Sequence, residues 1–222
     1  APASLPVTLV NERGETLAGP INVARRAKEL PRPYYVIAPT FPTPGIYEAR
    51  STVGGEAVSF SLQVFDAAEV EVIKPGDTLP SFATPTVAAP QGVKPICTRT
   101  PVCPLHDTSL DAALAAGTSI ALLVSTPAFC QVDICGPVLE VLLPRVERFP
   151  GVRFIHAEVY NDPEKGITGP DVLTPAMTKL HLPGEPTLVL AGPDGQVTAR
   201  LDSIYDGAEL DAALGPLAAG GG

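Results

Sequence analysis

Residues 119–124 read Ser-Ile-Ala-Leu-Leu-Val, a run without polar alternation. A strand with one face in water alternates polar and apolar residues, whereas a run that is apolar throughout is a strand buried on both faces. A few residues further on, the chain carries Cys130-Gln-Val-Asp-Ile-Cys135-Gly-Pro. A segment of helical pattern follows from Gly136 to Arg148, with Val138, Leu139, Leu142, Leu143 and Val146 on one face and Pro144 placed to kink it. A buried strand that hands two closely spaced cysteines to a helix start is the layout of a redox site, because the helix N-terminus carries partial positive charge and favours a thiolate.

The remaining composition narrows the class. A length of 222 residues suits one large domain or two small ones, and a hydrophobic fraction of 45% is enough for a real core. No apolar run approaches the roughly 18 residues of a membrane span. A net charge of -9 argues against a nucleic-acid partner, since phosphate binding needs a basic surface. The sequence starts Ala-Pro-Ala without Met, which fits a processed chain whose export signal or lipid anchor is missing, so membrane association is expected only through such an anchor. The four cysteines form two local pairs, Cys97/Cys103 and Cys130/Cys135, which favours an oxidising, extracytoplasmic setting, secreted or membrane-anchored.

Two domains are expected, 1–72 and 73–222. The first is β-rich. Pro6–Val10 and Tyr34–Ile37 are short strand-like runs, and Tyr47–Val53 and Ala57–Val64 alternate about Gly54-Gly55 as a hairpin. Pro44-Gly-Ile-Tyr47 resembles the tyrosine corner of immunoglobulin-like sandwiches, in which the hydroxyl ties back to backbone, so a reduced Ig-like sandwich serving as spacer or docking module is expected. In the second domain, Ser109–Ala116 is a short helix with Ser109 or Asp107 available as N-cap, and Val152–Val159 is the strand after the cysteine helix. Leu173–Leu180 is another short helix. Thr187–Leu190 and Gln196–Leu201 are strands about Gly192-Pro-Asp-Gly195, and Asp206–Leu214 is a last helix.

Lys74-Pro-Gly-Asp-Thr-Leu-Pro-Ser-Phe82, the β-α-β-α-β-β-α order and Gly184-Glu-Pro-Thr-Leu-Val-Leu190 followed by Asp194-Gly195 resemble the peroxiredoxin, TlpA and Sco branch of the thioredoxin superfamily over about residues 75–216. The resemblance implies an α/β thioredoxin-like domain, a mixed sheet flanked by helices, with Pro186 cis and facing Cys130 and Cys135. It implies a thiol–disulfide oxidoreductase in which Cys130 attacks, Cys135 resolves, and Phe129, Glu185 and Thr187 meet the partner's chain. The partners would be thiols and disulfides of extracytoplasmic proteins. The C-x4-C spacing also resembles the peroxiredoxin Q group, although Pro127 stands where that group has Thr and Leu123 where it has Pro. Cys135-Gly-Pro echoes the oxidoreductase Cys-Gly-Pro, with Val138 in place of the second cysteine.

Spacing constrains the pair. In a regular helix, positions i and i+5 lie about 8.6 Å apart at Cα, beyond the ~7 Å that a disulfide tolerates. Either Cys130 lies in the loop before the helix or the first turn unwinds on oxidation; Gly136-Pro137 favours the first and starts the helix near Cys135. Asp133 and Glu185 oppose thiolate formation, which suits a slow, reducing-type dithiol or a structural bridge.

Cys97-Thr-Arg-Thr-Pro-Val-Cys103-Pro-Leu-His106 is expected to be a loop stapled by a structural Cys97–Cys103 disulfide; with His106 the pair is also a soft donor set suited to Cu(I) or Zn. His156, in mid-strand, is read as buried and not liganding. No cofactor is expected in the main reading. The alternatives are a copper-delivering protein that uses Cys130, Cys135 and His181, a peroxidase, and a non-catalytic binding protein with two permanent disulfides.

Overall fold

The computed structural model describes residues 1–169 and 171–219. The chain divides into two compact units, the second beginning at Val72.

The first unit is one antiparallel sheet built from β1 (Ser4–Asn11), β2 (Thr16–Arg26), β3 (Tyr34–Tyr35), β4 (Gly45–Val53) and β5 (Glu56–Val64), in the order β3-β2-β1-β4-β5. Asn11 makes the first turn, its side-chain oxygen accepting the N–H groups of Arg13 and Glu15. Gly54 and Gly55, both at positive φ, close the β4–β5 hairpin. Leu5, Val7, Leu9, Val23 and Ala49 form the small core of this sheet. Tyr47 is buried and donates its hydroxyl to the Thr43 carbonyl at 2.8 Å, so the tyrosine corner is present. The expected two-layer sandwich is not shown: among the described residues the strands of this unit follow one five-stranded order. The segments that would supply a second layer carry Pro31, Pro33, Pro39, Pro42 and Pro44, which have no N–H to give to a ladder.

The second unit follows the expected alternation. Its elements are α1 (Leu110–Ala115), β6 (Ser119–Val124), α2 (Cys135–Leu142), α3 (Arg145–Arg148), β7 (Val152–Ala157), α4 (Pro175–Lys179), β8 (Thr187–Ala191), β9 (Val197–Asp202) and α5 (Gly207–Ala219). The sheet order is β7-β6-β8-β9, with β6 and β7 parallel and the other pairs antiparallel. This strand order and helix placement make the unit a thioredoxin-like α/β domain. Every residue of β6 is buried, as its unbroken apolar run requires. Ile120, Leu122 and Val124 share a core with Leu110 of α1 and Met177 of α4. Ala121 and Leu123 point to the opposite face.

Pro144 divides the expected single helix into α2 and α3. Arg145 sits at that break. It is 1% exposed, and its guanidinium donates to the carbonyls of Val141 and Gly207 and to Asp211, tying the break to α5. The segment 74–79 lies along the β8–β9 hairpin, where the N–H groups of Gly76 and Leu79 reach the carbonyls of Val197 and Gly195. Ser109 takes the N-cap position of α1, but its hydroxyl turns to Asp111, and Thr84 Oγ1 accepts the Leu110 N–H instead.

Candidate functional site

Two sulfur sites lie at the C-terminal ends of the parallel strands β6 and β7, the usual position of ligand sites in such sheets.

The first is Cys130 and Cys135. Cys130 lies in the loop after β6, and Cys135 is the first residue of α2, so the spacing is accommodated outside the regular helix. The Cys135 backbone N–H donates to the Cys130 sulfur at 3.3 Å. Cys130 is half-buried, and Cys135 is fully buried. Burial pushes the Cys135 thiol far up. Its contact with the Cys130 sulfur and the Glu185 carboxylate act the same way, against the Thr126 backbone N–H that donates to it. The loop passes through Asp133 at φ 57, an exposed residue type that tolerates the left-handed region.

Pro186 follows a cis peptide bond from Glu185. Glu185 is half-buried, and burial raises its carboxyl above the usual range. Tyr160, just past β7, is a neighbour that sequence reasoning missed. It is buried, its hydroxyl accepts from Gln131, and its own ionisation is pushed up by burial and then by Glu185. Its position at the end of a parallel strand was the available signal. Phe129 packs partly against the core. Thr187 is buried, with its hydroxyl between the Gly184 carbonyl and Asp202, so its side chain holds the loop's shape.

The second site lies around Cys97 and Cys103. Their sulfurs are 3.7 Å apart and unbonded, so the expected staple is not seen here. His156 Nδ1 lies 3.7 Å from the Cys97 sulfur and 3.4 Å from that of Cys103, and His106 Nε2 lies 3.3 Å from Cys103. All four residues are buried, and their four donor atoms lie within 4.8 Å of one another. This cluster overturns the expectation of a chain without a cofactor: it is a donor set fit for a metal ion. His156, expected to be buried and not liganding, is buried with its Nδ1 turned to both sulfurs. The copper set of Cys130, Cys135 and His181 is not brought together; among the described residues the Cys97 cluster is the one group of this kind, and His181 is exposed. Within the pair, Cys97 is pushed toward the thiolate, first by its hydrogen-bond contact with Cys103 and then, against burial, by the two histidines, while Cys103 is pushed up by the same contact and by burial.

Hydrogen bonds fix His156 and the segment after Cys97. His156 Nε2 lies 3.2 Å from the Ser125 carbonyl and 2.9 Å from its hydroxyl, and the His156 backbone N–H donates to the Leu105 carbonyl. Glu158, buried and with its carboxyl raised by that burial, accepts the Thr98 backbone N–H at 2.6 Å and the Thr98 hydroxyl at 3.0 Å. The same hydroxyl accepts the Ala128 N–H at 3.2 Å, which joins the Cys97 segment to the loop that carries Cys130.

No protein-family model and no curated relative matches the chain. Among solved structures, a thioredoxin-family thiol:disulfide interchange protein from Chlorobium tepidum is similar at 15% identity and a TM-score of 0.44, over 66% of this chain and 98% of that one. A putative thiol:disulfide interchange protein DsbE from the same organism is similar at 13% identity and 0.45, over 66% and 99%. The thioredoxin domain of a thiol-disulfide oxidoreductase from Bacteroides vulgatus is similar at 15% and 0.44, over 65% and 97%. At such values the likeness carries no argument beyond the strand order already described, and it is that order which makes the second unit thioredoxin-like.

Proposed function

We propose that the thioredoxin-like unit exchanges thiols and disulfides with extracytoplasmic proteins through Cys130 and Cys135. The observation that carries this reading is the pairing of a half-exposed sulfur, which accepts the first N–H of a helix, with a second, fully buried thiol beside it. In the reducing direction, the Cys130 thiolate attacks one sulfur of the partner's disulfide, and the other partner sulfur leaves and takes a proton. Cys135 then gives up its proton and attacks the Cys130 sulfur. The partner departs as a dithiol, and Cys130–Cys135 is left as the disulfide. A low-molecular-weight or protein dithiol would return the pair to the reduced state. In this reading Pro186 and Glu185 flank the attack path and Phe129 borders it, which the effect of the Glu185 carboxylate on the Cys135 thiol supports. The local pairing of the cysteines supports the extracytoplasmic setting. The first unit serves in this reading as a spacer or docking module with an Ig-like corner.

The test is the reduction potential of the Cys130–Cys135 pair, together with Cys135→Ser as a trap. An exchange dithiol equilibrates with glutathione buffers, and the variant accumulates a mixed disulfide on Cys130. A pair that stays oxidised at potentials below about -300 mV is a structural bridge, and the reading fails. A second reading, metal binding, is favoured by the buried Cys97 cluster and is independent of this chemistry.

A further inference from the structure

We infer that Cys97, Cys103, His106 and His156 form a closed tetrahedral site for a single zinc(II) ion, separate from the exchange dithiol.

The distances carry the inference. Zinc holds thiolate sulfur at about 2.3 Å and imidazole nitrogen at about 2.0–2.1 Å in a tetrahedron. The edges of that tetrahedron are then about 3.8 Å between two sulfurs and about 3.6 Å between sulfur and nitrogen. The protein places its sulfurs 3.7 Å apart and three sulfur–nitrogen pairs at 3.7, 3.4 and 3.3 Å. With all four donors within 4.8 Å of one another, the cluster fits one ion and is too tight for a two-iron cluster, whose ligand pairs sit on separate metals.

Charge selects the ion. The four residues are buried, so an uncompensated charge there is costly. Two thiolates and two neutral imidazoles carry a charge of minus two, which zinc(II) cancels and copper(I) only halves. With four protein donors and no position for water, such a site is structural in type.

The outer contact of His156 matches what a metal-bound histidine requires, whereas Nδ1 of His106 is buried without a hydrogen-bond partner. With Nδ1 on the metal, His156 donates its remaining Nε2–H to the Ser125 carbonyl, which fixes both tautomer and ring orientation. Glu158 holds the peptide next to Cys97 through the Thr98 N–H. A metal here would clamp residues 97–106 to β7, and through Thr98 it would brace the loop of the dithiol.

The test uses the full chain, reduced and stripped of metal in the absence of oxygen, then given zinc(II), with occupancy read by native mass spectrometry. The expected result is a single zinc ion per chain, retained in the double variant Cys130→Ser/Cys135→Ser. Cys97→Ser and His156→Gln should weaken binding by more than the roughly 10- to 100-fold that loss of an outer-shell partner costs, the range expected for Glu158→Gln. Because a buried ligand variant can fail to fold, cobalt(II) added to the unaltered chain supplies a second readout. A tetrahedral site with two thiolates gives intense visible bands and ultraviolet sulfur-to-metal charge transfer. The inference is overturned if zinc is lost with Cys130→Ser/Cys135→Ser, if cobalt shows the pale spectrum of a six-coordinate ion, or if the reduced chain takes up no zinc. Failure of the exchange reading leaves these outcomes unchanged, because the ligand sets share no residue.

Discussion

The Cys130 sulfur accepts the backbone N–H of Cys135 at 3.3 Å, where the loop after β6 turns into α2. The contact makes the two cysteines unequal. Cys130 meets solvent and a helix N-terminus, whereas Cys135 is fully buried with its thiol pushed up by desolvation. Reactivity toward an external reagent follows from that inequality.

Limiting iodoacetamide under native conditions should therefore modify Cys130 first. Cys97, Cys103 and Cys135 should remain protected until the chain unfolds, because all three are buried. Peptide mapping of the singly alkylated protein reads the order. Equal labelling of Cys130 and Cys135 would refute the assigned roles.

Glu185→Gln should raise the reduction potential of the Cys130–Cys135 pair. Above its raised titration point the Glu185 carboxylate is charged and pushes the Cys135 thiol up. Removing that charge favours the thiolate and so the reduced form. The rise appears at alkaline pH, where the Cys135 thiol begins to ionise, and reaches at most about 30 mV per pKa unit for a two-electron couple. Redox titration in glutathione buffers measures the shift, and a fall in potential contradicts the assignment.

Arg145→Met should destabilise the second unit by about 3 kcal/mol, since it strips a buried cation from Asp211 and from two helix carbonyls. Burial works against the charged form of Asp211, but Arg145 and Arg148 outweigh it and hold the carboxyl below the usual range. A group with a lowered folded value stabilises the fold in full above its unfolded value, near pH 4, and loses that contribution as pH falls through the folded value. Asp211→Asn should lower stability at neutral pH and flatten the acid limb below about pH 4. Urea denaturation across pH checks both variants.

Thr98→Val should loosen the Cys130 loop without touching either cysteine pair. It removes a hydroxyl that donates to buried Glu158 and accepts from Ala128. The expected cost is about 2 kcal/mol. Faster amide exchange at Ala128, with the β6 amides unchanged, is the local signature, and unchanged exchange there would count against the link.

Tyr47→Phe should cost the first unit about 1 kcal/mol, the usual worth of one hydrogen bond, here the one to the Thr43 carbonyl. A thermal melt of the full chain that resolves this unit, or amide exchange at residues 43–47, measures it.

Much of the fold was legible because it is written in contiguous residues. The apolar run 119–124 announced a doubly covered strand, Pro144 the helix break, and Gly136-Pro137 a helix beginning at Cys135. Strand β2 was not legible. Gly19 and Pro20 look like a turn, yet there they let the strand bend close over β1, where a Cβ on Gly19 would lie 2.7 Å from the Val7 carbonyl oxygen. The sandwich expected from the tyrosine corner also went beyond what a local motif can carry, since Tyr47 sets one turn and says nothing of how many sheets follow.

The two sulfur sites divide along the same line. Cys130 and Cys135 lie five residues apart on one strand–loop–helix connection, and the helical pattern together with Gly136-Pro137 placed them at a helix start. The second site joins Cys103 to His156 across 53 residues of chain. In sequence, His156 is simply a polar residue in a buried strand. Only the parallel pairing of β6 with β7, and the bond from its backbone to Leu105, bring its ring against the two thiols. Local patterns follow from the backbone geometry of neighbouring residues, so the sequence by itself determined the strands, helices and breaks of the thioredoxin-like unit. A ligand set drawn from distant segments depends on how packed elements close on one another, and only the tertiary structure decided it.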